Sequence, residues 1–304
     1  MYSFSTCWNS KRHTDGKEML QEIAGLGFDY AELSHGIRIS LMPGILEAVK
    51  DGVIKISSVH NFCPLPIGVN QAAPNIFRFT SDDDRERDNA FRHSMNSIET
   101  ADKVGAQAVV LHCGSVNLSN FTEKLKELLE QGKQGTPKFE KLCLKVMEKR
   151  EKVKEGPMER SYDMLHRLEK EAAARGLKLG IENREALEEI PFESDFFLFF
   201  KEFDGAGVGY WHDTGHAQIK ENLGFINHQL HLESQVEKLI GFHIHDVEFP
   251  ARDHRAPGTG AINFEAMKSV VGPDHIKVFE FSPGLSEEEA RGGIDHIKKL
   301  WGEE

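Results

Sequence analysis

The chain has 304 residues, 39% of them hydrophobic, and a formal charge of −12 at pH 7. That apolar content supports a packed core, and no apolar run approaches the roughly 20 residues of a membrane span. The acidic balance opposes a long phosphate backbone as partner, because such binding rests on Lys and Arg neutralising phosphates. Cys7, Cys63, Cys113 and Cys143 form no CxxC pair and are too sparse for a disulfide framework. The N-terminal stretch turns basic at Lys11 and Arg12 with no apolar segment behind it, so it does not read as a secretory signal. A cytoplasmic protein with reduced thiols is the expectation.

In chain order, residues 2–7 read as a strand and 16–26 as an amphipathic helix with Met19, Leu20, Ile23 and Leu26 on one face. Gly27, Phe28 and Asp29 turn the chain into a second strand, 30–33. A short helix over 40–49 and a turn at Asp51 and Gly52 lead to a third strand, 53–59, ended by His60. The proline-bearing loop 61–75 is long enough to stand over a pocket. Residues 82–104 have a charged first turn, Phe91, Met95, Ile98 and Ala101 at helical spacing, and a stop at Gly105. The fourth strand, 106–111, ends at His112. The stretch from there to Leu177 exceeds what one loop and one helix require. Charged amphipathic patterns at 121–130 and 137–153 precede the regular helix at 158–175. Residues 117–156 therefore read as a helical insertion on the catalytic face: a lid, a dimer contact, or a solvated pair of helices.

The alternation then resumes. Strand 177–181 ends at Glu182, a Phe-rich helix spans 192–203, and strand 208–212 ends at Asp213. A helix at 228–239 precedes strand 239–242, ended by His243. Helices at 264–271 and 287–301 flank the last strand, 275–279, ended by Glu280. Eight strand candidates alternating with helices predict one α/β domain over 1–304, a single (β/α)8 barrel with an insertion after strand 4. Six strands end in a histidine or an acid, and in such barrels the active site lies at the C-terminal strand ends.

Each end residue has its own logic. Asp213 could cap the helix it precedes, with His216 three residues on. His243 and His245 share one strand face, and which imidazole would hold a metal is open. Glu280 lies between Phe279 and Phe281, where an unpaired carboxylate is costly and a cation is a natural partner. Gly258 and Gly260 suit either a phosphate cradle or a chain turn.

The order His, His, Glu, Asp-x-x-His, His-x-x-Asp, Glu on successive strands resembles the xylose-isomerase-like barrels. These include sugar and sugar-phosphate isomerases, ketose 3-epimerases, inosose dehydratases and endonuclease IV. The most specific pieces are Ile181-Glu182-Asn183-Arg184, Asp213-Thr214-Gly215-His216, His243-Ile244-His245-Asp246, and the run from His254 to Gly260. The resemblance implies one divalent ion (manganese, magnesium, cobalt or zinc) on Glu182, Asp213, His243 and Glu280. It implies substrate contacts from His216 and from His254 or Arg255; His60 and His112, at their strand ends, are also expected at the substrate. Endonuclease IV adds histidines on strands three and four for further zinc ions. His60 and His112 stand in those places, so a second ion there is a further expectation. Arg252 stands where that enzyme has an acid, a departure from a trinuclear site.

The expected chemistry is isomerisation or epimerisation of a sugar, polyol or sugar phosphate through a metal-stabilised enediolate. Glu182 and Glu280 would serve as base and acid on opposite faces, and His216 and Arg255 would position a hydroxyl or phosphate. A lyase or hydrolase on the same scaffold, a phosphodiesterase, and an inactive barrel used for binding are the alternatives. The expected partner is a small carbohydrate, not nucleic acid or a membrane; self-association is left open.

Overall fold

The computed structural model describes residues 1–69 and 71–302; Asn70, in the expected 61–75 loop, and Glu303 and Glu304 lie outside them. The strands are β1 (Tyr2–Ser5), β2 (Tyr30–Leu33), β3 (Lys55–His60), β4 (Ala108–Leu111), β5 (Lys178–Glu182), β6 (Val208–Asp213), β7 (Leu239–Ile244), β8 (Asp246–Glu248), β9 (Arg252–Arg255) and β10 (Ile276–Phe279). Seven of them, β1 to β7, close with β10 into a barrel of parallel neighbours, ordered β1-β10-β7-β6-β5-β4-β3-β2. The expected (β/α)8 barrel is thus present. β8 and β9 form an antiparallel hairpin over the mouth after β7.

The helices are α1 (Gly16–Gly25), α2 (Met42–Lys50), α3 (Asp84–Val104), α4 (Phe121–Glu130), α5 (Pro137–Val153), α6 (Glu155–Ala173), α7 (Phe196–Glu202), α8 (Thr214–Asn222), α9 (His228–Ser234), α10 (Phe264–Met267) and α11 (Glu287–Trp301). α3 shows how the chain sets their limits. Asp83 caps its N-terminus, Asp84 and Glu86 sit in its first turn, and Gly105 ends it at φ 69°. Some elements are shorter than expected. The Phe-rich helix begins only at Phe196, because the Asp195 carboxylate takes the Phe192 amide and a 3₁₀ turn precedes the helix. α9 stops at Ser234, whose hydroxyl bonds back to the His231 carbonyl and competes with the helical ladder.

Side chains alternate between the bore and the helix layer. Ala108, Val110, Trp211, Ile276 and Val278 pack together in the bore. Trp211 fits because Gly180 and Gly241 face it: a Cβ on either would lie 2.8–2.9 Å from indole carbons. Trp211 therefore plugs the barrel, and the residues two further along each strand form the next layer up, at the mouth.

α4 and α5 are tied to the segment after β5. Arg150 on α5, fully buried, donates to the Leu187 carbonyl at 3.1 Å and to Asp195 Oδ2 at 2.7 Å. Lys154 donates to the other Asp195 oxygen at 2.8 Å. The Glu188 carboxylate accepts the first amides of α4 and the Thr122 hydroxyl. These contacts hold residues 184–195 against the barrel mouth.

Candidate active site

Counting two residues on from the plug layer gives Glu182, Asp213, His243 and Glu280, all buried. One ligand atom from each lies within 4.8 Å of all the others. His243 Nδ1 lies 2.6 Å from Glu182 Oε1, 3.4 Å from Glu280 Oε2 and 3.9 Å from Asp213 Oδ2. The sequence places each residue of the flanking motifs for a reason. Asn183 accepts the Asp213 amide at 2.7 Å and donates to its carbonyl, pinning β6 to β5. Asp213 Oδ1 accepts the His216 amide and so starts α8. Thr214 bridges the backbone of His245 through its hydroxyl, and Gly215 leaves the room that the His245 ring occupies.

Three carboxylates this close are offset by the positive and polar groups around them. Burial would raise the Glu182 carboxyl, but Arg184, His112 and His243 hold it well below the usual carboxylate range. Burial opposes ionisation of Asp213 and Glu280 too. His216 and His245 nonetheless lower the first, and His243 and His254 lower the second. Conversely, burial would lower the His243 imidazole, but Glu280, Glu32 and Glu182 lift it well above its ordinary value. Three hard oxygen donors and one imidazole nitrogen fit a divalent cation, and the convergence of anions gives such an ion its site.

The histidines of strands three and four face the same cluster. His112 Nε2 is 2.8 Å from Glu182 Oε2 and His60 Nε2 is 3.8 Å from it. Their Nδ1 atoms face outward, to Asn75 Oδ1 at 2.8 Å and the Asn61 carbonyl at 2.9 Å. Burial and Arg184 push the His112 imidazole down to about 4. His216 turns its Nδ1 toward the Asn183 carbonyl at 3.0 Å and Asp213 Oδ2 at 3.5 Å. His254, at φ 54°, stacks on His245 with ring centroids 4.2 Å apart, and its Nε2 lies 3.7 Å from Glu280. Arg255 is not brought to the cluster: it pairs with Asp246 across the hairpin, and its Nε is 3.7 Å from the exposed Glu248. The amides of Gly258 and Gly260 both donate to Asp246 Oδ2 at 2.9 Å, so these glycines turn the chain and are already engaged.

Sequence reading missed several groups. Arg184 donates to Glu182 at 2.5 Å and to Glu189 at 3.0 Å; it was quoted within a motif but given no part. Glu32 on β2, wholly buried, contacts His243 Nε2 at 3.1 Å, and the edge of the His35 ring packs on His60. An acid at the inward position of a short apolar strand was the available signal for Glu32.

A second histidine group lies in the helix layer, on outward positions. The Tyr210 hydroxyl joins His212 Nδ1 at 2.8 Å and His231 Nε2 at 3.0 Å; His212 Nε2 meets His228 Nε2 at 2.9 Å; and His228 Nδ1 meets Gln218 Oε1 at 3.3 Å. Gln218 spends its amino group on Glu221 and Asn222, so its oxygen accepts from His228. The protons of the whole chain then run one way, from His231 through Tyr210, His212 and His228 to Gln218, with every imidazole neutral.

A cavity of about 380 Å³ opens beside the cluster, lined by Glu280, His254, His35, Cys7, Ser34 and Lys11 among others. A second, of about 440 Å³, lies between the insertion and the β5 loop, with Arg184, Glu189 and Asn75 in its wall. Among the described residues no helix is long and apolar enough to cross a membrane.

Fold and site together define a (β/α)8 barrel with an acid–histidine mouth. The family model described as xylose isomerase-like TIM barrel matches residues 20–300, and the chain belongs to that family. Among curated proteins no sequence matches. Solved structures similar to it include a D-tagatose 3-epimerase-like protein (TM-score 0.68, 18% identity, 98% of this chain and 96% of that one). Others are the 3-keto-D-glucoside 4-epimerase of E. coli (0.66, 15%, 98% of each) and the D-psicose 3-epimerase of Clostridium cellulolyticum H10 (0.67, 16%, 99% of each). At these identities the likeness establishes the fold.

Proposed function

We propose that the protein is a divalent-metal-dependent isomerase or epimerase of a sugar, polyol or sugar phosphate. The observation that carries this reading is the convergence of three buried carboxylates and His243 Nδ1 beside a cavity of about 380 Å³. Family membership, and a shared fold with proteins titled as sugar epimerases, support it. Glu182, Asp213, His243 and Glu280 would hold the ion. When bound, it would polarise a carbonyl and the neighbouring hydroxyl and stabilise the charge left by loss of the α-proton.

The chain's own residues move and place the proton. Glu182 and Glu280 form the acid–base pair. Glu280 lines the cavity, whereas Glu182 is committed to Arg184, so Glu280 is the carboxylate that meets substrate first. His254, beside Glu280, and His216 position hydroxyls. His60 and His112 present Nε2 toward Glu182 because their Nδ1 atoms have outer acceptors, an arrangement suited to a second ion.

A panel of ketoses, inososes and their phosphates, incubated with Mn²⁺-loaded protein in deuterated water and followed by NMR, tests the reading. Exchange of one carbon-bound proton, with isomeric product, is expected. Loss of water would assign the dehydratase chemistry instead, and inertness toward the whole panel would dispose of both. Elemental analysis giving one metal per chain would remove the second ion.

A further inference from the structure

Glu32 is a fourth carboxylate at the mouth, on the other side of the His243 ring from the three that converge on Nδ1. It is wholly buried and does not line the cavity beside Glu280. Its Oε2 takes the Ser58 hydroxyl at 2.8 Å and faces His243 Nε2 at 3.1 Å, while Oε1 takes the Ser5 hydroxyl at 3.0 Å. Three different strands, β1, β3 and β7, thus supply its donors, and the carboxylate has no freedom to reach substrate or a shared ion.

We propose that Glu32 is the positioning residue of the metal centre: it keeps a proton on His243 Nε2 and so presents the Nδ1 lone pair to the ion. This rests on the metal-site reading above. A neutral imidazole carries one N–H, and an acceptor at Nε2 decides that Nδ1 is the ligating atom while raising its basicity. The neighbouring histidine shows the opposite outcome. His245 Nδ1 accepts the His254 amide at 2.9 Å, so the proton of a neutral His245 sits on Nε2, which faces Asp213 at 3.0 Å. His245 is therefore a donor that orients Asp213, although it lies in a group with His254 and Glu280 that is otherwise of ligand type. Of the two imidazoles on one strand face, the buried acid selects His243.

The experiment uses the full chain stripped of metal. Mn²⁺ affinity is measured calorimetrically for wild type, Glu32→Gln and Glu280→Gln, and Zn²⁺-loaded, ¹⁵N-histidine-labelled protein is examined by NMR. Glu32→Gln, nearly the same shape, should weaken Mn²⁺ binding about 10- to 100-fold, the usual range for an outer partner of a metal-bound histidine. Glu280→Gln should abolish binding. In the wild-type spectrum His243 should carry metal on Nδ1 and a slowly exchanging, downfield Nε2–H that moves upfield in Glu32→Gln, because an amide is the weaker acceptor. Affinity within twofold of wild type in Glu32→Gln, with an unmoved Nε2–H and binding lost in Glu280→Gln, would overturn the role of Glu32 and leave the metal site standing. Wild-type protein that binds neither Mn²⁺ nor Zn²⁺ would overturn both. Metal found on Nε2 in the wild type overturns the inference without reference to any variant.

Discussion

β6 carries a histidine on one face and an acid on the other, and the two sides of the barrel wall treat buried imidazoles in opposite ways. At the mouth, His243 lies among Glu280, Glu32 and Glu182, and burial's preference for the neutral ring is overridden by three carboxylates. In the helix layer, His212, His228 and His231 have a phenol, an amide and one another as side-chain partners. There burial prevails: it pushes His228 and His231 down to about 3, helped at His228 by His231 and at His231 by Lys220, and takes His212 well below its ordinary value. Depth is the same in both places; the neighbours decide the charge. One group is where the proposed ion would displace a proton; the other holds α8 and α9 to the wall through a chain of neutral bonds.

The largest effect that would break this comparison comes from the mouth. Glu280→Gln should lose bound metal and at least the 10²–10⁴-fold in turnover that general acid–base catalysis is worth, read as proton exchange in deuterated water. Near wild-type exchange in that variant would remove the site. Next is the pH dependence of Mn²⁺ affinity. Glu280, Glu32 and Glu182 raise the His243 imidazole well above its ordinary value, so an ion that took its Nδ1 would expel a proton. Affinity should fall by up to about tenfold for each pH unit of acidification through neutrality, measured calorimetrically in buffers of different ionisation heat. A pH-independent affinity would deny the charged state of the mouth.

The helix-layer group predicts a stability effect of opposite origin. His228 and His231 take up protons near pH 6.5 when unfolded but only near 3 when folded, so the unfolded state binds more protons between those values. The stability they contribute is fully present above about pH 6.5 and is lost as pH falls toward 3, at about 1.4 kcal/mol per pH unit for each histidine at most. Urea unfolding at pH 7 and pH 5 checks this. Tyr210→Phe, which strips the central link, should cost about 1–3 kcal/mol at pH 7 while leaving Mn²⁺ affinity within twofold. The smallest expected effect is that of Arg255→Ala. Its pairing with Glu248 is at the surface, so the variant should keep metal affinity and turnover within twofold of wild type. A large loss would return Arg255 to the substrate.

How much could be read beforehand follows from what is local. The closing residues of β3 to β7 and β10 were legible because a strand alternates faces every second residue, so a polar residue after an apolar run is placed at the mouth by covalent geometry alone. The same rule put Trp211 in one layer and Asp213, His243 and Glu280 together in the next. Arg255 illustrates its reach: motif resemblance set it beside the substrate, but the β8–β9 pairing turns it toward Glu248. The expected helices at 192–203, 228–239 and 264–271 were too long because side-chain bonds such as Ser234 to His231 end them from within.

The sequence by itself determined the barrel, its alternation of strand and helix, and the acids and histidines at its rim, since each depends on neighbours a few residues apart. Only the tertiary structure decided which group each ring nitrogen of a histidine faces. It set Glu32, 211 residues from His243, against the ring's Nε2, and put hydroxyls of two further strands on that carboxylate. It likewise decided that Arg184 guards Glu182 and that three histidines of α9 and β6 share protons in one direction. A ring nitrogen's partner is fixed by the stagger of closed strands and the packing of helices upon them, and no pattern along one strand carries that information.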